Sequence, residues 1–404
     1  MSNSAERSAK APAERPLLAL AGIVSCSLGF RVLSAIVAFI SRVAFPAADQ
    51  IADGRSVFGP RRAFWDIFAR WDSQWYFNIA YGGYHYTPGG RDSIAFFPAY
   101  PLMMRYVGRL FGRSQADLYY GGIVISWAAF VLAMIGLYKL ARLDVDHLAA
   151  TRAVLLSTIF PFAFFFGVVY TEALFLAAAV GAFYFFRTRR WILGGLCGAL
   201  ATATRVTGIL IWPSLAWIAW RGVMAGGARL KPPSRDAVLA TIALALVPVG
   251  IGAYSLYIFR MTGHPFEWAK TLELWGYYPG GSPYLSMLRL VRNLVERPIV
   301  FIATEPMARF DALNGMTALV FVLAIPFVWF RFGTAYGVYM LGNLWLPLSS
   351  GLFEGLGRYC SVLFPFFIWL GSFRSRQVLT AAIVISAVMY TLCMAIFTNL
   401  QPLY

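Results

Sequence analysis

Charge is the scarcest property of this chain. Only 13% of its 404 residues are Asp, Glu, Lys or Arg, and 59% are hydrophobic. An average soluble domain carries about 25% charged residues, so the composition is that of a polytopic membrane protein. No polar stretch is long enough for a separate soluble domain of ordinary size. Lysine is confined to Lys10, Lys139, Lys231 and Lys270, leaving arginine to carry most of the positive charge. The four cysteines, Cys26, Cys197, Cys360 and Cys393, fall in or beside apolar runs without a C-x-x-C pair. That pattern argues against a disulfide framework or a zinc site. GxGxxG, P-loop, H-E-x-x-H and G-x-S-x-G elements are all missing, which disfavours soluble nucleotide chemistry. There is no internal repeat and no long Gly/Ser linker, and Pro279-Gly280-Gly281 reads as a local turn. The net charge of +16 has no basic domain to carry it, so no nucleic-acid partner is expected.

Long apolar runs are present in number. A helix needs roughly 20 residues to cross about 30 Å of hydrocarbon. That measure predicts an all-α protein with about eleven spans: 17–43, 118–140, 149–169, 172–187, 191–205, 207–221, 237–259, 313–330, 334–350, 358–373 and 377–398. Pro161, Pro213, Pro248, Pro326, Pro347 and Pro365 are expected to break or bend them. The first run, Leu17 to Phe45, is too long for a secretory signal and reads as a retained span. Arg7, Lys10 and Arg15 precede it; Arg187, Arg189 and Arg190 follow the fourth span. Arg221, Arg229, Lys231 and Arg235 follow the sixth, and Arg374 and Arg376 the tenth. By the positive-inside rule these ends are cytoplasmic, and the polar segments 44–117 and 260–312 lie outside. The arginine-rich composition suits a GC-rich bacterial genome, giving an integral inner-membrane protein whose outer face is periplasmic.

That sidedness brings four isolated charges to one membrane face. Asp72, Glu172, Arg205 and Arg358 all sit at outer helix ends in apolar surroundings, where an ionisable group marks a functional site. Asp72 lies in Arg70-Trp71-Asp72-Ser73-Gln74-Trp75-Tyr76. Trp71, Trp75 and Ile79 recur every four residues, predicting a short interfacial helix with Asp72 at its start. Capping that helix is the bland alternative; the flanking tryptophans favour a shielded carboxylate acting as a base. Glu172 is the sole acid between Asp146 and Asp236, and capping the next helix is its strong competing role. Arg205 has no sequence-local acid, so a ligand phosphate suits its planar fork. Arg358 has Glu354 nearby, and a local ion pair weighs equally with ligand binding. His85 lies in a flexible Gly-rich loop and either assists proton transfer or is merely solvated. Arg105 and Arg109 share a face and more readily snorkel to headgroups than bind a substrate phosphate. A base, an outward acid and two arginines fit group transfer from a phosphate leaving group.

The same segments resemble the PIG-V-like mannosyltransferases, members of the GT-C membrane glycosyltransferases. The residues are Arg70-Trp71-Asp72, Ile79-Ala80 with Gly83-Tyr84, Ala95-Phe96-Phe97-Pro98-Ala99-Tyr100-Pro101, and Pro161 and Phe162 with Tyr170-Thr171-Glu172. Thr204-Arg205-Val206-Thr207-Gly208 and Arg358-Tyr359 with Phe364-Pro365 complete the series. The resemblance implies a single GT-C-type transmembrane domain over 1–404, with a polyprenyl-phosphate sugar, mannose, as donor. It implies inversion by direct displacement, with Asp72 as catalytic base. Glu172, Arg205, Arg358, His85, Trp71, Trp75 and Tyr84 are then the candidate substrate-binding residues. The acceptor is a lipid, glycolipid or other membrane-associated molecule. No cofactor is implied, and metal use stays open because the nearest acid, Asp66, is six residues away and reads as structural. The pattern departs from the eukaryotic branch at Tyr86-Thr87-Pro88-Gly89-Gly90, which intervenes before Arg91-Asp92, so the acceptor is expected to differ from a GPI-type glycolipid. A glycolipid transporter or flippase is the competing function, kept open by Arg31 inside the first span. A non-catalytic assembly subunit is the third.

Overall fold

The computed structural model describes residues 16–45, 58, 63–225, 234–277, 280–304, 308–401 and 403. Arg7, Lys10, Arg15, Arg229, Lys231 and Pro279 lie outside the described residues. Among the described residues every regular element is a helix. The long apolar runs give α1 (Pro16–Ala44), α5 (Gln115–Ala141), α15 (Ala308–Phe332) and α19 (Arg376–Thr398). Between α1 and α5 the polar segment folds as α2 (Ala63–Asp66), α3 (Ser73–Gly82) and α4 (Ala99–Gly108). Shorter apolar helices follow α5: α6 (His147–Thr158), α7 (Glu172–Arg187), α8 (Trp191–Thr204) and α9 (Trp212–Ala225). Next come α10 (Arg235–Leu246) and α11 (Val249–Thr262), then α12 (Glu267–Leu274), α13 (Pro283–Glu296) and α14 (Pro298–Thr304) in the second polar segment. After α15 come α16 (Thr334–Ser349), α17 (Leu356–Ser361) and α18 (Phe364–Gly371), ahead of α19.

Among the described residues six helical stretches are long and apolar enough to cross a membrane: Leu17–Ala44, Gln115–Ala141, Val206–Met224, Arg235–Thr262, Phe310–Phe332 and Arg376–Thr398. The protein is therefore a multi-pass membrane protein, while several of the expected spans are shorter pieces. The run expected at 149–169 stops being α-helical at Thr158, and a 3-10 turn forms at Ala163–Phe166 beyond Pro161. Arg31 explains how that break is tolerated. Its guanidinium donates to the carbonyls of Ala163 (2.9 Å) and Thr158 (3.3 Å) and lies 4.4 Å from the Phe130 ring centroid. This charge in the middle of the first span thus satisfies freed backbone carbonyls, as broken membrane helices require. The run at 358–373 likewise divides into α17 and α18. Pro365 falls in the first turn of α18, whereas Pro326 and Pro347 lie inside continuous helices.

Local sequence sets the helix starts. Ser114 and Asp117 form a reciprocal capping box on α5, and Asp146 accepts from the Ala149 N–H at the start of α6. The centre of the molecule is α5 packed along α7, with α8 on the far side of α7 and α4 against α5. A Cβ on Gly121 would lie 2.4 Å from the Gly108 nitrogen, so α4 and α5 meet backbone to backbone. An aromatic core of Phe160, Phe321, Phe366 and Phe367 fills one side of the bundle, and Phe164, Phe165 and Phe397 another. The starts of α3 and α7, the end of α8 and the short α17 come together at one end of the bundle.

Candidate active site

Asp72 immediately precedes α3, but its side chain makes no capping hydrogen bond there. Instead its Oδ2 accepts from Arg358 Nη1 at 2.7 Å. Arg358 Nε donates to Glu172 Oε1 at 3.0 Å, and Arg205 Nη1 donates to the same oxygen at 2.6 Å. The four charges chosen from sequence therefore form one chain of alternating sign, Asp72–Arg358–Glu172–Arg205. Opposite charges in contact lower the desolvation cost that each alone would carry at a membrane edge. The chain grades from wet to dry: the Asp72 side chain is 23% exposed and that of Glu172 is 0% exposed.

Aromatic rings hold the guanidinium groups in place. Arg358 lies 5.2 Å from the Phe165 ring centroid and 5.0 Å from that of Tyr170; Arg205 lies 4.8 Å from that of Tyr359. The segment between the 3-10 turn and α7 pins the Asp72 loop. The Val169 N–H donates to the Phe68 carbonyl (3.0 Å), and the Asp72 N–H donates to the Tyr170 hydroxyl (3.2 Å). Trp71 adopts a φ of +50°, a left-handed conformation rare for a bulky side chain. Strain of that kind persists where the surroundings over-determine it, often beside a functional group. Here it falls on the residue just before Asp72.

Asp72, Arg205 and Arg358 face a cavity of about 140 Å³, also lined by Tyr76, Phe96, Thr171, Thr204, Trp275, Tyr277, Glu354 and Tyr359. Val206, Leu272, Tyr277 and Tyr359 are shared with an adjoining, mainly apolar cavity of about 210 Å³ that continues past Trp268, Leu346 and Pro347. Glu172 does not line the charged pocket; buried behind it, its carboxylate fixes both arginines. It belongs to the first turn of α7, the position its capping role would need, but Oε1 is directed at the guanidinium groups.

The other sequence candidates are placed elsewhere. Trp75 stacks on Phe96 (5.5 Å, 12°) and meets Trp275 edge-on, so it supports the pocket wall from behind rather than shielding Asp72. Trp71 is half-buried against the core. The Tyr84 hydroxyl donates to the Phe96 carbonyl at 2.7 Å, and its ring packs near Tyr254 and Tyr257, holding the loop together. His85 is tied through its backbone to Ser93 and does not reach the charged pocket. Arg105 donates to the carbonyls of Ala80 (2.6 Å) and Ile79 (2.8 Å), completing the end of α3. Arg109 is exposed, and Asp66 pairs with Arg70 at 2.6 Å in a buried structural contact. Among the described residues no group of three or more His, Cys, Asp or Glu side chains is placed to hold a metal ion.

Glu354 is a pocket residue without a site role in the sequence pattern. The local ion pair with Arg358, weighed equally with ligand binding, does not form: Glu354 makes no ion pair among the described residues and lines the cavity instead. Burial, then the neighbouring Asp72 charge, raise its carboxyl above the ordinary glutamate range. Burial and the Asp72 charge likewise push the Tyr76 hydroxyl up, keeping it a neutral donor. The second polar segment supplies the outer wall. Tyr86 donates to Glu267 Oε1 (2.9 Å), and Arg91 donates to the Leu274 carbonyl (2.9 Å) and lies 5.4 Å from the Trp275 ring centroid. The loop carrying Tyr86 and Arg91 therefore docks α12 and Trp275 over the site.

Residues 58–249, just under half the chain, match the mannosyltransferase (PIG-V) family. The chain is PIG-V-like. It is 32% identical over 148 residues to GPI mannosyltransferase 2 of Cryptococcus neoformans var. neoformans serotype D, covering 35% of this chain and 34% of that protein. It is 27% identical over 227 residues to GPI mannosyltransferase pigv-1 of Caenorhabditis elegans, covering 49% of this chain and 33% of that one. The chain thus aligns with about a third of the length of these curated relatives. The apo oligosaccharyltransferase of Archaeoglobus fulgidus superposes over 93% of this chain and 56% of its own, with 14% identity and a TM-score of 0.46. Asp72, Glu172 and Arg205 fall inside the PIG-V-matched region; Arg358 and Glu354 lie beyond it.

Proposed function

We propose that this PIG-V-like chain is an inverting membrane mannosyltransferase of GT-C type. It takes its sugar from a polyprenyl-phosphate donor and passes it to a lipid or other membrane-associated acceptor. The observation that carries the reading is the Asp72–Arg358–Glu172–Arg205 chain bordering a pocket that runs on into an apolar cavity. A sugar joined through phosphate to a prenyl chain has the same order of chemistry: polar, anionic, then greasy. Glu354 and Thr171 supply partners for sugar hydroxyls at the polar end.

In the reaction, the acceptor hydroxyl attacks the anomeric carbon while the bond from that carbon to the phosphate oxygen breaks. Asp72 takes the hydroxyl proton, and the prenyl phosphate leaves carrying the bonding pair. Arg358 and Arg205 stabilise the charge that grows on it. Arg358 holds Asp72 until a donor phosphate competes for the same guanidinium. Loading the donor therefore frees the carboxylate to accept the proton.

The positive-inside distribution of arginine supports an extracytoplasmic pocket, the periplasmic face in a bacterial inner membrane. About eleven crossings are our reading of the span count, with α3 and α4 at the outer interface. Reconstitution into liposomes with radiolabelled polyprenyl-phosphate mannose and a membrane lipid extract tests the reading. Label should pass to a lipid product with wild-type protein and fail to do so with Asp72→Asn. Transfer from GDP-mannose alone would overturn the donor assignment.

A further inference from the structure

The end of the bundle remote from Asp72 holds a second polar site. α7 begins at Glu172 in the candidate active site and ends at Arg187, about 22 Å further along at 1.5 Å per residue. There a cavity of about 610 Å³ opens between the ends of α7 and α9 and the start of α16, lined by Arg187, Arg189, Trp217, Arg221, Thr334 and Tyr336 among others. We propose that this cavity binds the phosphate group of an anionic phospholipid from the adjacent leaflet, at a site separate from the transfer reaction.

Three observations carry the assignment. First, the arginines are positioned unequally. Arg187 is fixed by Asp144 and Tyr336, and Arg189 by Asp236 (3.4 Å) and the Gly222 carbonyl (3.1 Å). Arg221 has no hydrogen bond or ion pair among the described residues. The two acids match two arginines, leaving Arg221 as uncompensated charge on the wall. Second, α16 is 16 residues long, and its start at Thr334 has no side-chain cap. The positive end of its dipole and its unmatched N–H groups face the same demand as the arginines, which an anion meets. Arg189 stands at φ +55°, a left-handed conformation costly for a long side chain. Third, the rim is built for the bilayer interface: Trp217 and Trp220 pack 5.0 Å apart and are 38% and 52% exposed. Tryptophans gather where hydrocarbon meets headgroups, so the anion is a headgroup phosphate with its acyl chains passing the tryptophans. Basic pockets between membrane helices on the cytoplasmic side suit such headgroups.

The test uses full-length protein purified in a neutral detergent. Thermal unfolding and native mass spectrometry are followed on adding phosphatidylglycerol, phosphatidylcholine or inorganic phosphate, each alone. Phosphatidylglycerol should raise the unfolding temperature and stay bound, with phosphatidylcholine giving no rise. Arg221→Gln, at an exposed position that leaves the paired arginines intact, should weaken phosphatidylglycerol binding about tenfold, the loss of one charge-assisted hydrogen bond. Equal responses to both lipids, or unchanged binding by a folded Arg221→Gln, would overturn the proposal. A rise with inorganic phosphate equal to that with phosphatidylglycerol keeps the phosphate chemistry and overturns the lipid. None of these readouts depends on sugar transfer, so failure here and failure of the mannosyltransferase reading are separable.

Discussion

Asp72→Asn separates catalysis from structure because the two effects differ in size. Removing a positioned general base lowers a rate by about 10² to 10⁴, or about 3–5 kcal/mol of activation free energy. The structural effect should be far smaller. The Asp72 and Arg358 side chains are 23% and 12% exposed, between surface pairs worth about 0–1 kcal/mol and buried pairs that cost about 3–5 kcal/mol to break. Asparagine keeps an acceptor oxygen for Arg358, and Arg358 retains its bond to Glu172. The loss of stability should therefore stay near 1 kcal/mol. Initial rates of mannosyl transfer from polyprenyl-phosphate mannose, measured beside thermal unfolding on the same preparations, read both quantities. A well-folded variant that keeps its rate to within about threefold, less than 1 kcal/mol, would refute the base assignment. Parallel loss of fold and rate would refute it too, by making Asp72 structural.

Glu172→Gln should act in the opposite sense. Two arginines lose their shared anion at a site with no solvent, at a cost of about 3 kcal/mol or more, read as lost monodisperse protein on size exclusion. Unchanged thermal stability would show that Glu172 is not the anchor. Gly357→Ala tests the positioning of Arg358: its Cβ would lie 2.3 Å from the ring of Phe162, which is 1% exposed. Overpacking of that kind costs about 1–3 kcal/mol; transfer should fall with the shift of α17, and a fully active, equally stable variant would sink the packing argument. Glu354→Gln addresses pH. The folded carboxyl titrates above its unfolded value, so the folded state binds the extra proton between the two and wild-type stability falls as pH rises through that window. The variant lacks that fall: it should gain on wild type across the window and stay ahead above it. Unfolding temperatures against pH check this, and the reverse order would mean that burial does not govern Glu354.

The charges of the site were legible because an isolated ionisable group in an apolar run has few structural excuses, and span boundaries put Asp72, Glu172, Arg205 and Arg358 at one end. Their pairing was not legible, because it depends on backbone that leaves the helix. Glu354 and Arg358 are four apart, the spacing of a helical ion pair. Gly355, however, stands between them at φ +73° and α17 begins only at Leu356. Glu354 is thus outside the helix, and Arg358 turns to Asp72 and Glu172. The Trp71–Trp75–Ile79 stripe failed for the same reason: Trp71 precedes α3 in a left-handed conformation, so its indole leaves the helical face. Periodicity says which residues share a face only while the helix lasts. In this chain the charged side chains of the candidate site stand where helices begin or end, so sequence identified the charges and tertiary packing chose their partners.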